Sequence, residues 1–429
     1  MKKIPQRLSF AILNSLSAGV VPRIGIEYIA VGRKDEMKAI IENIESAAQG
    51  ASFLKFICGR YGSGKSFMLQ IIKNYALDKN FIVADVDLAP DKLLYGANNQ
   101  GLNTYRDLIG RLSIKTRSDG GALETIIQKW ISNIRADIVK KDGLAISQEY
   151  MEDKVNNEIY RTIEKMKDYP HGFDFASVLM AYWDGYRNDE EKKQSALRWI
   201  RGEYGTKTEA KKYLPVSEII NDDSWYDFIK LLAIFFKKIN YSGLLLFMDE
   251  SVNLYKISNR ITREKNYERL LSIYNDTTQG QTSSLGVFVA ATPQFIQDER
   301  KGLYSYEAFR SRLKHLLDSR YKDFSASVMI LEQLTYEEIY VLIEKVTDIH
   351  ATHYEYDVRV TKEQIIKFIE YKMNRIGADE LLTPRELLRE YITILNIMEQ
   401  NPQLTFNELF TSSDIPREAP IKRGMEFEL

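Results

Sequence analysis

The strongest chemical signal in the chain is the run Gly59-Arg60-Tyr61-Gly62-Ser63-Gly64-Lys65-Ser66, which meets the pattern G-x-x-x-x-G-K-[ST] at every position. Glycines at 59, 62 and 64 allow the backbone to curl until its N–H groups converge on phosphate oxygens, and a helix opening near Lys65 adds its positive dipole end. Lys65 would reach the β- and γ-phosphates, and Ser66 would ligate Mg²⁺. A second run, Leu244-Leu245-Leu246-Phe247-Met248-Asp249-Glu250, delivers two carboxylates at the end of an apolar stretch. Asp249 would hold the Mg²⁺ shell, and Glu250 would orient or deprotonate an attacking water. An acidic pair after an apolar run is only moderately specific by itself. Coupled to the glycine run, it points to hydrolysis of a nucleoside triphosphate.

Further positions could complete such a site. Thr292 follows the apolar stretch Leu285–Ala291 and would lie beside the acidic pair if the two strands are neighbours. Its hydroxyl could then hold the water or sense the γ-phosphate, although a Thr before a Pro is also an ordinary strand end. Arg310 and Arg312, two apart, cannot share one helix face. One of them could enter a neighbouring subunit's site and neutralise transition-state charge, while surface pairing with acids is the plainer alternative for each. Arg385 could reach back to the γ-phosphate or stay solvated at its helix start. Cys58 reads as a small buried residue rather than a redox group. His350 and His353 have no accompanying acidic motif and read as solvated histidines rather than metal ligands.

These residues need an α/β scaffold. Phe53–Cys58 and Phe81–Leu88 read as strands flanking a helix over Lys65–Asp78, the unit from which parallel sheets are built. Leu244–Met248 and Leu285–Ala291 are short continuous apolar runs, the pattern of strands covered on both faces. The two chemical motifs are far apart in sequence, and the stretch of about 116–240 between them is helical in period and rich in Lys, Glu, Tyr and Trp. It therefore reads as an inserted helical region. Tyr160, Tyr169, Trp183, Tyr186 and Trp199 interleave there with charges; they could stack on nucleic-acid bases or form a helical core. Thr335 and Thr383 are candidate helix caps, the second followed by Pro384 at the first turn. The boundaries drawn from these patterns are an N-terminal helical segment at 1–50, a nucleotide-binding core at 51–334, a helical lid at 335–410 and a tail at 411–429.

Composition removes other classes. The 429 residues carry 59 basic and 60 acidic side chains, a net charge of −1, so no bulk basic field advertises a nucleic-acid or anionic-membrane partner. One cysteine cannot form an intramolecular disulfide or a Cys-cluster zinc site, which fits a reducing compartment. The first apolar stretch is broken by Asn14, Ser15 and Ser17 and reads as an amphipathic helix, not a signal segment. No apolar run approaches a membrane span. A cytoplasmic protein with no membrane partner is expected.

With these residues in view, the chain resembles the AAA+ ATPases, and among them the origin-recognition-like branch. Val31-Gly32-Arg33-Lys34-Asp35-Glu36 is similar to the V-G-R-x-x-E box that precedes the phosphate loop there. More narrowly it resembles the BrxD-like ATP-binding proteins of the BREX phage-resistance system. That likeness is carried by segments such as Ala18–Arg23, Gly59–Ser66, Asp85-Val86-Asp87-Leu88, Leu197–Glu203, Gly243–Glu250 and Thr383–Glu386. The resemblance implies Lys65 and Ser66 as the Walker A pair, Asp249 and Glu250 as the Walker B pair, and Thr292 as sensor 1. It implies Arg312 as the inter-subunit arginine finger, with Arg310 as competitor, and Arg385 as sensor 2. It further implies a P-loop AAA+ parallel sheet with a large helical insertion and C-terminal helical lid, ATP and Mg²⁺ as ligands, self-association, and other phage-defence proteins as partners. The expected activity is ATP hydrolysis driving conformational change, with double-stranded DNA a candidate partner. The alternative is an assembly switch that hydrolyses slowly and does not act on DNA. The branch's usual winged-helix DNA-binding domain after the lid has no counterpart in the short tail, so contact with DNA would have to come from the insertion or an oligomeric pore.

Overall fold

A computed structural model describes residues 4–143, 147–317, 322–373 and 383–412. The chain divides into two compact units, one formed by Arg33–Gln333 and the other by the residues up to Gly32 together with those from Leu334 onward. The segment drawn at 1–50 thus contributes to both: helix Gln6–Ser17 lies in one unit and helix Lys34–Ala48 in the other.

The larger unit is built on a five-stranded sheet in which every pairing is parallel. Its strands are β1 (Phe53–Cys58), β2 (Ile82–Asp87), β3 (Leu244–Asp249), β4 (Leu285–Ala291) and β5 (Val328–Ile330), in the order β2-β3-β4-β1-β5. Successive side chains of a strand point to opposite faces, and β3 shows why its run is apolar throughout. Leu245 and Phe247 belong to the same buried cluster as Ile40 and Ile44 of helix Lys34–Ala48 and Met68 and Ile72 of helix Lys65–Asp78. Leu244, Leu246 and Met248 join the opposite core, which continues into the inserted helices. A sheet covered on both faces needs apolar residues at consecutive positions. Parallel register brings the strand ends to one edge: Cys58 lies opposite Ala291, and Asp87 opposite Asp249.

Between β2 and β3 the chain forms helices that include Leu123–Asp142, Gln148–Glu164, Gly172–Asn188, Glu190–Ile200 and Trp225–Lys238. Trp130, Trp183, Trp199 and Trp225 are all buried in this region. Three of the indole nitrogens donate within the protein, Trp199 Nε1 to Glu218 O at 2.9 Å, Trp225 Nε1 to Leu94 O at 3.1 Å, and Trp183 Nε1 to Asn156 Oδ1. The aromatic interleaving seen in the sequence is therefore core at Trp183 and Trp199, whereas Tyr160 and Tyr169 remain exposed. Gly172 and Gly185 permit close approaches in this region, since a Cβ would stand 1.9 Å from Met166 O at the first and 2.3 Å from Lys193 N at the second.

The smaller unit is helical, with Gln6–Ser17, Tyr336–Tyr354, Lys362–Met373, Pro384–Gln400 and Phe406–Ser412. Both expected caps form capping boxes, Thr335 with Glu338 and Thr383 with Glu386, each closing orphan N–H groups reciprocally. His350 is fully buried rather than solvated. Its Nε2 meets Asn396 Oδ1 of helix Pro384–Gln400 at 3.0 Å, and its Nδ1 meets Tyr356 Oη, just past its own helix, at 2.8 Å. Burial lowers its pKa, so the neutral ring serves as a hydrogen-bonding core residue. His353 bonds to Ser9 Oγ at 2.9 Å.

Candidate functional site

The glycine run leaves β1 at the sheet edge where the strand ends converge. Gly59 N–H donates to Ala291 O at 3.0 Å, which fixes the start of the loop to the end of β4. Only glycine fits there: a Cβ on residue 59 would stand 2.2 Å from Ser63 Oγ and 2.9 Å from Leu331 O. Gly62 and Gly64 take φ values of 79° and 88°, the left-handed region that side chains avoid. The chain then enters helix Lys65–Asp78, whose first-turn N–H groups lack acceptors within the helix, as at any helix start. Arg60 and Tyr61 are at the loop's surface, Tyr61 being 74% exposed.

Lys65 Nζ donates to Gly59 O and Arg60 O, both at 2.9 Å, so the ammonium is held over the loop's own backbone. Burial pushes its pKa down, opposed first by the charge of Asp249 and also by that of Glu250. Ser66 Oγ donates to Asp249 Oδ2 at 2.7 Å, joining the loop's helix to the end of β3. The other carboxylate oxygen, Asp249 Oδ1, accepts the Glu250 N–H at 2.8 Å. Glu250 is not a glycine yet holds φ at 55°. A non-glycine side chain held in that region carries a conformational cost. Behind it, Ser251 is buried with its hydroxyl on Ala290 O, and Asn253 Nδ2 donates to Leu88 O at 2.7 Å, tying β3's exit to both neighbouring strands.

Thr292 follows β4 directly, beside the loop's first residue, and its hydroxyl accepts Phe295 N–H at 3.2 Å as the cap of helix Pro293–Gln297. Cys58 is buried, and burial pushes its thiol up to about 12 against the opposing charge of Lys65, so it stays protonated and unreactive.

Over residues 4–414 the chain matches the family described as BREX system ATP-binding protein BrxC/D. The chain belongs to that family. No curated protein matches it. As a BREX ATP-binding protein it has an ATP-binding role in a phage-defence system, on the α/β parallel-sheet fold described above. None of its described helices is long and apolar enough to cross a membrane.

The remaining arginines of this BREX protein separate by their partners. Both lie on helix Glu307–Leu317, where Arg310 Nη2 pairs with Glu299 Oε1 at 3.0 Å, while Arg312 is exposed and its Nη1 donates to Ala308 O at 2.6 Å. No carboxylate among the described residues engages Arg312. Arg385 belongs to the smaller unit, near the start of helix Pro384–Gln400, with its stem 3.6 Å from where a Cβ on Gly19 would stand. The structure also adds polar residues that motif reading passed over. Arg111 Nη1 bridges Asp85 Oδ2 at 3.2 Å and Asp87 Oδ2 at 3.3 Å, and its Nε reaches Asp107 Oδ1 at 3.2 Å. Asp87 is opposite Asp249 in the sheet. The signal was the alternation Asp85-Val86-Asp87, which puts both carboxylates on one face of β2.

Proposed function

We propose that this BREX protein binds ATP in the Gly59–Ser66 loop and hydrolyses it to ADP and phosphate. The observation that carries the reading is the convergence of Ser66 Oγ and Asp249 Oδ2 at 2.7 Å beside Lys65, with Glu250 following on the same strand end. A hydroxyl and a carboxylate are hard oxygen donors of the kind Mg²⁺ takes, with phosphate oxygens and waters supplying the rest of its shell. Ser66 and Asp249 would hold that ion, which when bound neutralises charge on the phosphate oxygens. Gly62 and Gly64 open the backbone N–H groups toward the phosphates, and Lys65 turns its ammonium from the loop carbonyls to the phosphate tail. Glu250 accepts the proton of the attacking water. Thr292 lies one residue past β4 and orients that water.

Arg312, exposed and without a carboxylate partner among the described residues, supplies the finger to a neighbouring copy, and Arg310 is held back by Glu299. Arg385 acts as the lid's phosphate sensor. Hydrolysis then drives conformational change in an oligomer working with other phage-defence proteins in the cytoplasm, with duplex DNA a candidate partner. The test is steady-state phosphate release and apparent solution mass, with ADP or a non-hydrolysable ATP analogue, with and without duplex DNA. DNA-stimulated turnover supports the driven reading. Slow turnover indifferent to DNA, with ATP-dependent assembly, replaces it with the switch; no turnover under any condition refutes hydrolysis.

A further inference from the structure

Arg33 stands in the Val31–Glu36 box, which by itself assigns it no role. The chain passes between the two compact units twice, at Gly32–Arg33 and at Gln333–Leu334, so Arg33 opens the larger unit and Glu332 nearly closes it. Arg33 itself adopts φ 63°, directly after Gly32 at φ 62°. Glycine would suit residue 33 better, so the side chain is retained for its contacts. Its Nη2 donates to Ser63 O, inside the glycine loop, at 3.2 Å and also to Glu332 O, while Nη1 meets Glu36 Oε1 at 3.5 Å. The Arg33 and Glu36 side chains are 17% and 10% exposed, so this is a sheltered arrangement rather than a surface pairing.

One guanidinium therefore binds the loop and both chain crossings. Three acceptors in different directions suit a planar fork of five donors and do not suit a lysine's single ammonium. The contact to Ser63 matters for chemistry because a trans peptide points its C=O and the following N–H in opposite directions. Holding Ser63 O on Arg33 aims the Gly64 N–H away from Arg33, at the point where the loop becomes the helix. The exit of β5 is pressed to the same place: Leu331 N–H donates to Cys58 O at 2.7 Å, beside the first loop residue.

We infer that Arg33 is a positioning residue that transmits occupancy of the glycine loop to both crossings between the units. The inference rests on nucleotide binding at that loop, as proposed above. A phosphate on the Gly64 N–H stiffens the 63–64 peptide, and Arg33 carries that stiffening to residues 33 and 332 together.

Hydrogen–deuterium exchange of the full chain, with and without a non-hydrolysable ATP analogue and Mg²⁺, reads the transmission directly. In the wild type, nucleotide should slow exchange in peptides covering the loop and in those covering residues 28–37 and 329–337, by about tenfold at the crossings. In Arg33→Ala, at saturating nucleotide, the loop should still be protected while the crossings no longer respond. Arg33→Lys, which keeps the charge, should behave like Arg33→Ala and serves if the alanine variant does not fold; a merely structural arginine would change basal exchange without removing the nucleotide-dependent difference. Crossings that respond equally in the wild type and Arg33→Lys overturn the inference, as do crossings that ignore nucleotide in a wild type whose loop is protected. A wild-type loop indifferent to nucleotide instead refutes the ATP reading, and this inference with it.

Discussion

Glu250 offers the sharpest separation of chemistry from architecture. Its backbone sits at φ 55° and its N–H is bonded to Asp249 Oδ1 at 2.8 Å. That bond uses the main chain, so replacing the side chain leaves it intact. Glu250→Gln keeps shape and backbone strain but removes the proton acceptor. General-base catalysis contributes roughly 10²–10⁴ in rate, equivalent to about 3–5 kcal/mol of barrier. Turnover should fall by that factor, with nucleotide affinity within about threefold of wild type because ground-state contacts survive. Glu250→Gly makes the complementary change. It relieves a left-handed residue, worth roughly 1–2 kcal/mol, against an added chain-entropy cost of about 0.5–1 kcal/mol. The expected net is a gain of about 1 kcal/mol, or a melting temperature about 2 °C higher, with turnover equally lost. Phosphate release under saturating ATP and thermal unfolding of the three proteins measure both effects. Near-normal turnover in either variant would refute the assignment of the base, and a clear loss of stability in the glycine variant would refute the account of strain.

Other consequences can be checked in parallel. Gly59→Ala should lower both melting temperature and nucleotide affinity, because its Cβ would stand 2.9 Å from the backbone oxygen Leu331 O and overpacking of this kind costs about 1–3 kcal/mol; equilibrium titration and thermal melts read the two. Arg312→Ala should reduce turnover by about 10³-fold or more with affinity retained, whereas Arg310→Ala should leave it near wild type, and the reverse order in a phosphate-release assay would exchange their roles. Lys55, buried on β1 with its ammonium on Phe324 O, Ser325 O and Ala326 O, has its pKa lowered to about 8 by burial, against the opposing pull of Asp323. The unfolded chain then binds more protons between pH 8 and Lys55's ordinary range near 10.5, so this residue's contribution to stability should rise with pH across that window. Urea unfolding at pH 7.5 and 9.5, compared with Lys55→Met, gives the sign; a wild type that loses stability relative to the variant contradicts it.

What the sequence made legible follows from the range of the interactions. The cores of β3 and β4 are readable because each is a short continuous apolar run, and β1 is readable as a mostly apolar run, interrupted by Lys55, that leads into the glycine loop. Strand β5 is only Val328–Ile330, too short to carry a period, and its place beside β1 is set by register and not by composition. The glycine loop and the acidic strand end were readable as types of residue at fixed spacing. Their convergence, Ser66 Oγ on Asp249 Oδ2, depends on β4 lying between β1 and β3, which no local pattern encodes. Arg33 stood in view inside a recognisable box, but its partners Ser63 and Glu332 are distant along the chain. The burial of His350 is hidden from the sequence for the same reason, since its partner Asn396 lies on a helix that follows much later. Trp183 and Trp199 show the limit of aromatic–charge interleaving as a signal, because a helical core presents the same pattern as a stacking surface.

The central claim is that the loop from Gly59 to Ser66 holds the phosphates of ATP through Lys65. Calorimetric titration of a non-hydrolysable ATP analogue with Mg²⁺ into the full chain and into Lys65→Ala, both verified as folded, tests it most directly. The account predicts one nucleotide bound per wild-type chain and at least about a hundredfold weaker binding to the variant, the loss of a charge-assisted contact worth roughly 3 kcal/mol. Equal binding to both proteins, or none to the wild type, would contradict it.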